Sequence, residues 1–100
     1  MAFDMYLDGK NEKIHYSEED FFMIITKEDG FPNLEWLWNE FYNGPKIDGQ
    51  RAKLIAEELE TAKINKRIKS RHSLVKFIDR VHPFFGKAGT LNKGIKCISD

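Results

Sequence analysis

Phe31-Pro32-Asn33-Leu34-Glu35-Trp36-Leu37-Trp38-Asn39-Glu40-Phe41-Tyr42-Asn43-Gly44-Pro45 is the stretch around which the rest of this chain organises. Leu34, Leu37, Trp38, Phe41 and Tyr42 recur at the spacing of one helical face. Phe31-Pro32 sets the entry, Asn33 is placed to cap the first turn, and Gly44-Pro45 ends the run. The pattern predicts a core helix, the second of the chain. Burying five such side chains, at about 1.5 to 3 kcal/mol each, is a major contribution in a small domain. Trp36 does not fit this face: it projects with Asn33, Glu40 and Asn43 on the polar side.

Upstream, residues 3 to 16 predict a β-hairpin. Phe3, Met5 and Leu7 alternate with Asp4, Tyr6 and Asp8, Ile14 and Tyr16 alternate with Lys13 and His15, and Asp8-Gly9-Lys10-Asn11 supplies the turn. Two strands alone are marginal, so the apolar face must pack on helices or gain a third strand. Ser17-Glu18-Glu19-Asp20 reads as a helix start, with Ser17 as cap and the acids at the positive end of the dipole. The run Phe21 to Ile25 fits a helix ending near Lys27 or a buried strand, and the cap favours the helix.

Downstream, Asp48 caps a third helix with Ala52, Ile55, Ala56, Leu59 and Ala62 on one face. Ile64 and Ile68 leave that face, so the helix either buries two sides or breaks around Thr61 to Asn65. A fourth helix from Ser70 or Ser73 places Leu74, Phe77, Ile78 and Val81 inward and is expected to end by His82, before Pro83. Gly94 to Ile98 suits a short strand added to the hairpin. The expectation is therefore an α+β fold, one domain over residues 1 to 100, with an N-terminal hairpin joined by a C-terminal strand and packed on about four helices.

Composition narrows the class further. The hydrophobic share of 41% and the 13% aromatic content belong to a folding chain. The longest apolar run, Phe21 to Ile25, is far short of the roughly 20 residues of a membrane span. Met1-Ala2-Phe3-Asp4 lacks the basic and apolar parts of a secretory leader, and the single cysteine, Cys97, cannot form an internal disulfide. A cytoplasmic protein is expected, with no membrane partner.

Net charge is zero but unevenly laid out. Residues 1 to 62 carry fourteen acidic and six basic side chains, a net of −8, and residues 63 to 100 carry the opposite, +8. Such asymmetry points to a nucleic acid or charged partner, or to pairing of the two halves on folding within a Debye length of about 8 Å.

Chemistry-bearing patterns are weak. His15, His72, His82 and Cys97 form no local metal-ligand pair, so no metal and no cofactor is expected. Cys97 lies between apolar positions and reads as a small core residue, and the acids at 18 to 20 and at 57 and 58 read as solvated helix acids. Gly89 and Gly94 fail as a phosphate loop, since Ile95-Lys96 replaces the Lys-Ser or Lys-Thr pair. No enzyme is expected.

Two surfaces remain. Trp36, with Phe31 or Tyr42 nearby and the acids Glu35 and Glu40 around it, forms a candidate acidic, aromatic partner-binding site, if Trp36 is exposed rather than covered by the hairpin or the basic helix. Lys63, Lys66, Arg67, Lys69 and Arg71 open a basic segment over 63 to 96 that could neutralise phosphates, without any motif for sequence readout. In size, acidic first half and lack of a catalytic signature the chain resembles small accessory proteins of the inhibitor type. A non-enzymatic protein-interaction module is the leading expectation, with another protein or a second copy as partner. Nucleic-acid binding is the alternative.

Overall fold

The alternation over residues 3 to 16 produces the hairpin it predicts. In the computed structural model, which describes residues 2–99, β1 (Ala2–Leu7) pairs antiparallel with β2 (Lys10–His15), Phe3 opposite Ile14 and Leu7 opposite Lys10. Asp8 and Gly9 carry the link with φ of 48° and 79°, the positive pair that a type I′ loop requires. Phe3, Met5 and Leu7 are buried and Tyr6 is exposed, so a single face of the strand enters the core.

The elements that follow are α1 (Asp20–Ile25), α2 (Pro32–Asn39), β3 (Lys46–Ile47), α3 (Gly49–Ala62), α4 (Lys66–Lys69), α5 (His72–Leu91) and β4 (Ile95–Ser99). The third strand does join the hairpin: β4 lies antiparallel to β1, Met5 opposite Cys97. The sheet order is β2-β1-β4-β3, because the two-residue β3, too short to leave a periodic signal, adds to the far side of β4. Its inner face joins the helices in a hydrophobic cluster, while Tyr6 and Ile98 stay exposed on the outer face. The architecture is α+β, with five α-helices among the described residues, the fourth a single turn.

Several local expectations change. Ser17 does not cap α1. It sits in a 3-10 turn, Tyr16–Glu18, where the Glu18 carboxylate accepts the His15 N–H at 2.9 Å. Asn33 does not cap α2 either. Its backbone N–H and that of Leu34 donate to the Glu58 carboxylate of α3 at 3.0 and 2.9 Å, so a neighbouring helix satisfies the orphan donors. Asp48 does cap α3, accepting the Arg51 N–H at 2.7 Å. The predicted α3 face is buried throughout.

The break between residues 61 and 65 is real. Lys63 to Asn65 leave the helix, Ile64 is exposed, and Asn65 caps α4 so that Ile68 turns inward. The helix beginning at His72 does not stop at His82 but runs to Leu91 with Pro83 inside it. Phe85 and Ala88 extend the stripe of Leu74, Phe77, Ile78 and Val81, and their burial offsets the hydrogen bond that proline removes. α5 packs closely on α3 along this length.

Candidate partner-binding surface

The second helix delivers only part of its predicted face inward. Leu34, Leu37 and Phe41 are buried and Trp38 is half-buried, stacked on Phe22 with centroids 5.3 Å apart. Tyr42 is a correction: α2 ends at Asn39, Phe41–Asn43 winds as a 3-10 turn, and the change of pitch turns Tyr42 out to 53% exposure.

Trp36 is covered from an unexpected side. It is half-buried against the core, and the Arg51 guanidinium of α3 lies 4.0 Å from its ring centroid while donating to Asn33 Oδ1 at 3.1 Å. The cover is α3, neither the hairpin nor the basic helix. Phe31 is buried, Glu35 is exposed and Glu40 is partly exposed. These four residues therefore present acids without a freely exposed aromatic ring.

The exposed aromatic surface lies at the other edge of the helix. Tyr42 donates its hydroxyl to Glu19 Oε1 at 2.6 Å. Tyr16 is 68% exposed and Met23 48%. Between them a cleft of about 400 Å³ is lined by Tyr16, Glu18, Glu19, Asp20, Met23 and Arg71. Glu19, read from sequence as a solvated acid at a helix start, is instead buried, at 3% exposure. The Tyr42 phenol is pushed up to about 12, first by its hydrogen bond to Glu19, then by partial desolvation and by the nearby Glu19 and Tyr16 charges.

The acids flanking Glu19 have cations and Glu19 has none. Glu18 takes Arg80 in a two-point clasp at 2.7 and 3.0 Å, and Asp20 takes Arg71 at 3.3 Å. Arg80 also donates to the Lys13 carbonyl at 2.7 Å, tying α5 to the edge strand β2. Its Nε lies 3.2 Å from Glu12 Oε1 but lacks the alignment of a hydrogen bond. No Lys, Arg or His nitrogen pairs with Glu19 among the described residues.

The basic segment divides on folding. Lys63 pairs with Asp79, Arg71 with Asp20 and Lys93 with Asp8. Lys66, Arg67 and Lys69, on and around the single turn of α4, are exposed and make no ion pair among the described residues. α4 packs against α1, whose Asp20 and Met23 line the acidic cleft, but none of these three cations lines it.

Elsewhere the chemistry is sparse. Among the described residues no group of three or more His, Cys, Asp or Glu side chains could hold a metal ion. Cys97 lies on the inner face of β4, and burial pushes its thiol up to about 12. Gly89 sits inside α5 against the backbone of Lys53, not in a phosphate loop. The His82 ring is 3.6 Å from Glu60 in a separate groove. No helix is long and apolar enough to cross a membrane among the described residues.

Sequence reasoning misses Glu19, Tyr16 and Met23, and names Tyr42 for the surface only as a neighbour of Trp36. No local signal separates Glu19 from Glu18 and Asp20, because the contact that marks it, with Tyr42, spans 23 residues. No family model, curated protein or solved structure matches this chain significantly.

Proposed function

We propose that this protein is a small non-enzymatic protein-interaction module that contacts its partner through the acidic, aromatic surface where the end of the second helix meets the first. The observation that carries this reading is exposed Tyr16 and Met23 lining a cleft walled by Glu18, Glu19 and Asp20, with exposed Tyr42 hydrogen-bonded to Glu19. Exposed tyrosines and methionine beside charged groups have the composition of an interface centre, and tyrosine loses little side-chain entropy when covered. The reading keeps the partner-binding role expected near the second helix but moves its centre from Trp36 to Tyr42. A reducing, cytoplasmic setting accords with the lone buried thiol of Cys97.

The test is affinity capture from the native host with wild type, Tyr16→Ala/Tyr42→Ala and Trp36→Ala in parallel. A partner held by wild type and Trp36→Ala but lost from the double variant supports the reading. Equal capture by all three refutes it.

A second reading is supported by a specific observation, the exposed and unpaired Lys66, Arg67 and Lys69. Three cations on one turn suit contact with a nucleic-acid backbone, which would be salt-dependent and insensitive to sequence. A gel shift at low salt, abolished by the triple alanine variant, is its expected result. No shift at low salt removes it.

A further inference from the structure

We infer that the cleft beside Glu19 receives a cationic side chain, arginine or lysine, from a polypeptide partner. This rests on the interaction surface proposed above and adds the chemistry of what that surface recognises.

Glu19 is the reason. A carboxylate withdrawn from water is costly unless its charge is balanced and its oxygens are hydrogen-bonded. At 3% exposure Glu19 has been withdrawn, and its partner within the chain is one neutral hydroxyl, that of Tyr42 on Oε1. Oε2 makes no hydrogen bond among the described residues, yet the buried side-chain atom there that is both sealed and unpartnered is Arg80 Nε. Glu19 lines the cleft, and Oε2 is the carboxylate oxygen left without a hydrogen bond among the described residues.

The two arginines at the cleft and its flanking acids are committed elsewhere, and the exposed Lys66, Arg67 and Lys69 of α4 make no ion pair with Glu19 among the described residues. Arg80 holds Glu18, and Arg71, which lines the same cleft, is held by Asp20 at its exposed rim. The space of about 400 Å³ falls within the ~300–1,000 Å³ of ordinary ligand pockets. Met23, Leu74 and Tyr16 offer apolar wall to an aliphatic stem, and a tyrosine face adds attraction for a cation. A polypeptide is favoured over a free amine because Tyr16 and Met23 line the cleft while exposed, and Tyr42, bonded to Glu19, is exposed as well, so a small cation would leave them unused.

The experiment follows backbone amide shifts at residues 16 to 23 and 71 to 74 during titration. The probes are N-acetyl-argininamide, its neutral isostere N-acetyl-citrullinamide, and the capped tripeptide leucyl-arginyl-leucine. The arginine compound is expected to bind with Kd of about 1 mM and the tripeptide at least about tenfold tighter, while citrulline produces no saturable shift. Glu19→Gln, which keeps an acceptor for Tyr42, is expected to weaken arginine binding at least about tenfold while melting as wild type does. Arg71→Ala, which removes a like charge from the mouth, is expected to tighten it.

Equal shifts from citrulline, or unchanged affinity in Glu19→Gln, overturn the inference. Should Glu19→Gln fail to fold, Glu19→Leu decides alone: loss of the saturable shift from the arginine compound supports the site and an unchanged affinity removes it. Arginine bound through Glu19 with no gain from the tripeptide overturns the polypeptide source. Partner capture lost with Tyr16 and Tyr42 but retained in Glu19→Gln would leave the interaction surface standing and remove the cation site.

Discussion

Gly86 and Gly89 stand three residues apart on α5, and the same substitution at each should move stability in opposite directions. A Cβ at Gly86 would meet nothing within 4 Å. Alanine there gains only the helix-propensity difference, about 0.5–1 kcal/mol, raising Tm by about 2–8 °C. A Cβ at Gly89 would lie 2.8 Å from Lys53 Cβ and 3.0 Å from Lys53 Cα, on α3. Carbon atoms rest at about 3.5–4.0 Å, so the two helices would have to part by roughly 0.7 Å. The atoms encountered are backbone and Cβ, which cannot swing aside. Overpacking of this kind costs about 1–3 kcal/mol, and a clash with backbone belongs in the upper part of that range, so that after the propensity gain Gly89→Ala is about 1–2 kcal/mol less stable, with Tm lower by about 4–16 °C. Urea unfolding with a common m value and calorimetric Tm measure both effects. If Gly89→Ala is as stable as wild type, α3 and α5 do not approach this closely. If Gly86→Ala is destabilising, the helix does not continue past Pro83.

Glu58→Ala should cost about 1–2 kcal/mol in urea unfolding, because it strips the acceptor from Asn33 N–H and Leu34 N–H at the start of α2; Glu58→Gln should cost less. Cys97, with its thiol pushed up to about 12 by burial, should resist disulfide reagents at pH 8 in the native protein and react only as fast as the chain opens. Tyr42 has a folded pKa of about 12, above the unfolded value near 10, so its hydrogen bond to Glu19 contributes fully below pH 10 and is lost as pH rises towards 12. Tyr42→Phe should remove that alkaline loss, read as the difference between the two pH–stability curves.

Legibility in the sequence tracked the range of the interaction that decided each feature. The hairpin, the Asp48 cap and the Ala52-Ile55-Ala56-Leu59-Ala62 face are set by neighbours within one or two turns, and all were readable. Pro83 is a local stop signal, yet Phe85 and Ala88 continue the stripe of Val81 at helical spacing, and tertiary burial decides the outcome. Tyr42 faces inward only if the helix is uninterrupted, and the 3-10 turn after Asn39 rotates it outward. Trp36 falls on a polar face of its own helix, and α3, whose Arg51 covers it, cannot be located from the second helix alone. The acidic cleft was least legible: Glu19 and Tyr42 are 23 residues apart, and nothing local distinguishes Glu19 from Glu18 and Asp20.

Folding neutralises much of the charge division in the sequence and leaves a specific remainder. Arg71, Arg80 and Lys93 of the basic half pair with Asp20, Glu18 and Asp8 of the acidic half. Glu19 stays without a cation although Arg71 lines the same cleft. An uncompensated buried charge lowers stability, so a carboxylate kept there for recognition should be separable from the fold. Replacing it with an apolar group of similar size tests this. Glu19→Leu leaves the Tyr42 hydroxyl to water, which its exposure permits, and removes a buried charge. Such replacements are neutral or stabilising, so Glu19→Leu should be as stable as wild type or up to about 2 kcal/mol more stable by urea unfolding, while losing response to the arginine probe. A loss of more than about 1 kcal/mol would instead make Glu19 a strut of the fold, because removing a merely structural partner leaves others unsatisfied. Gain or parity in stability together with loss of arginine binding is the combination expected of a residue retained for what it binds.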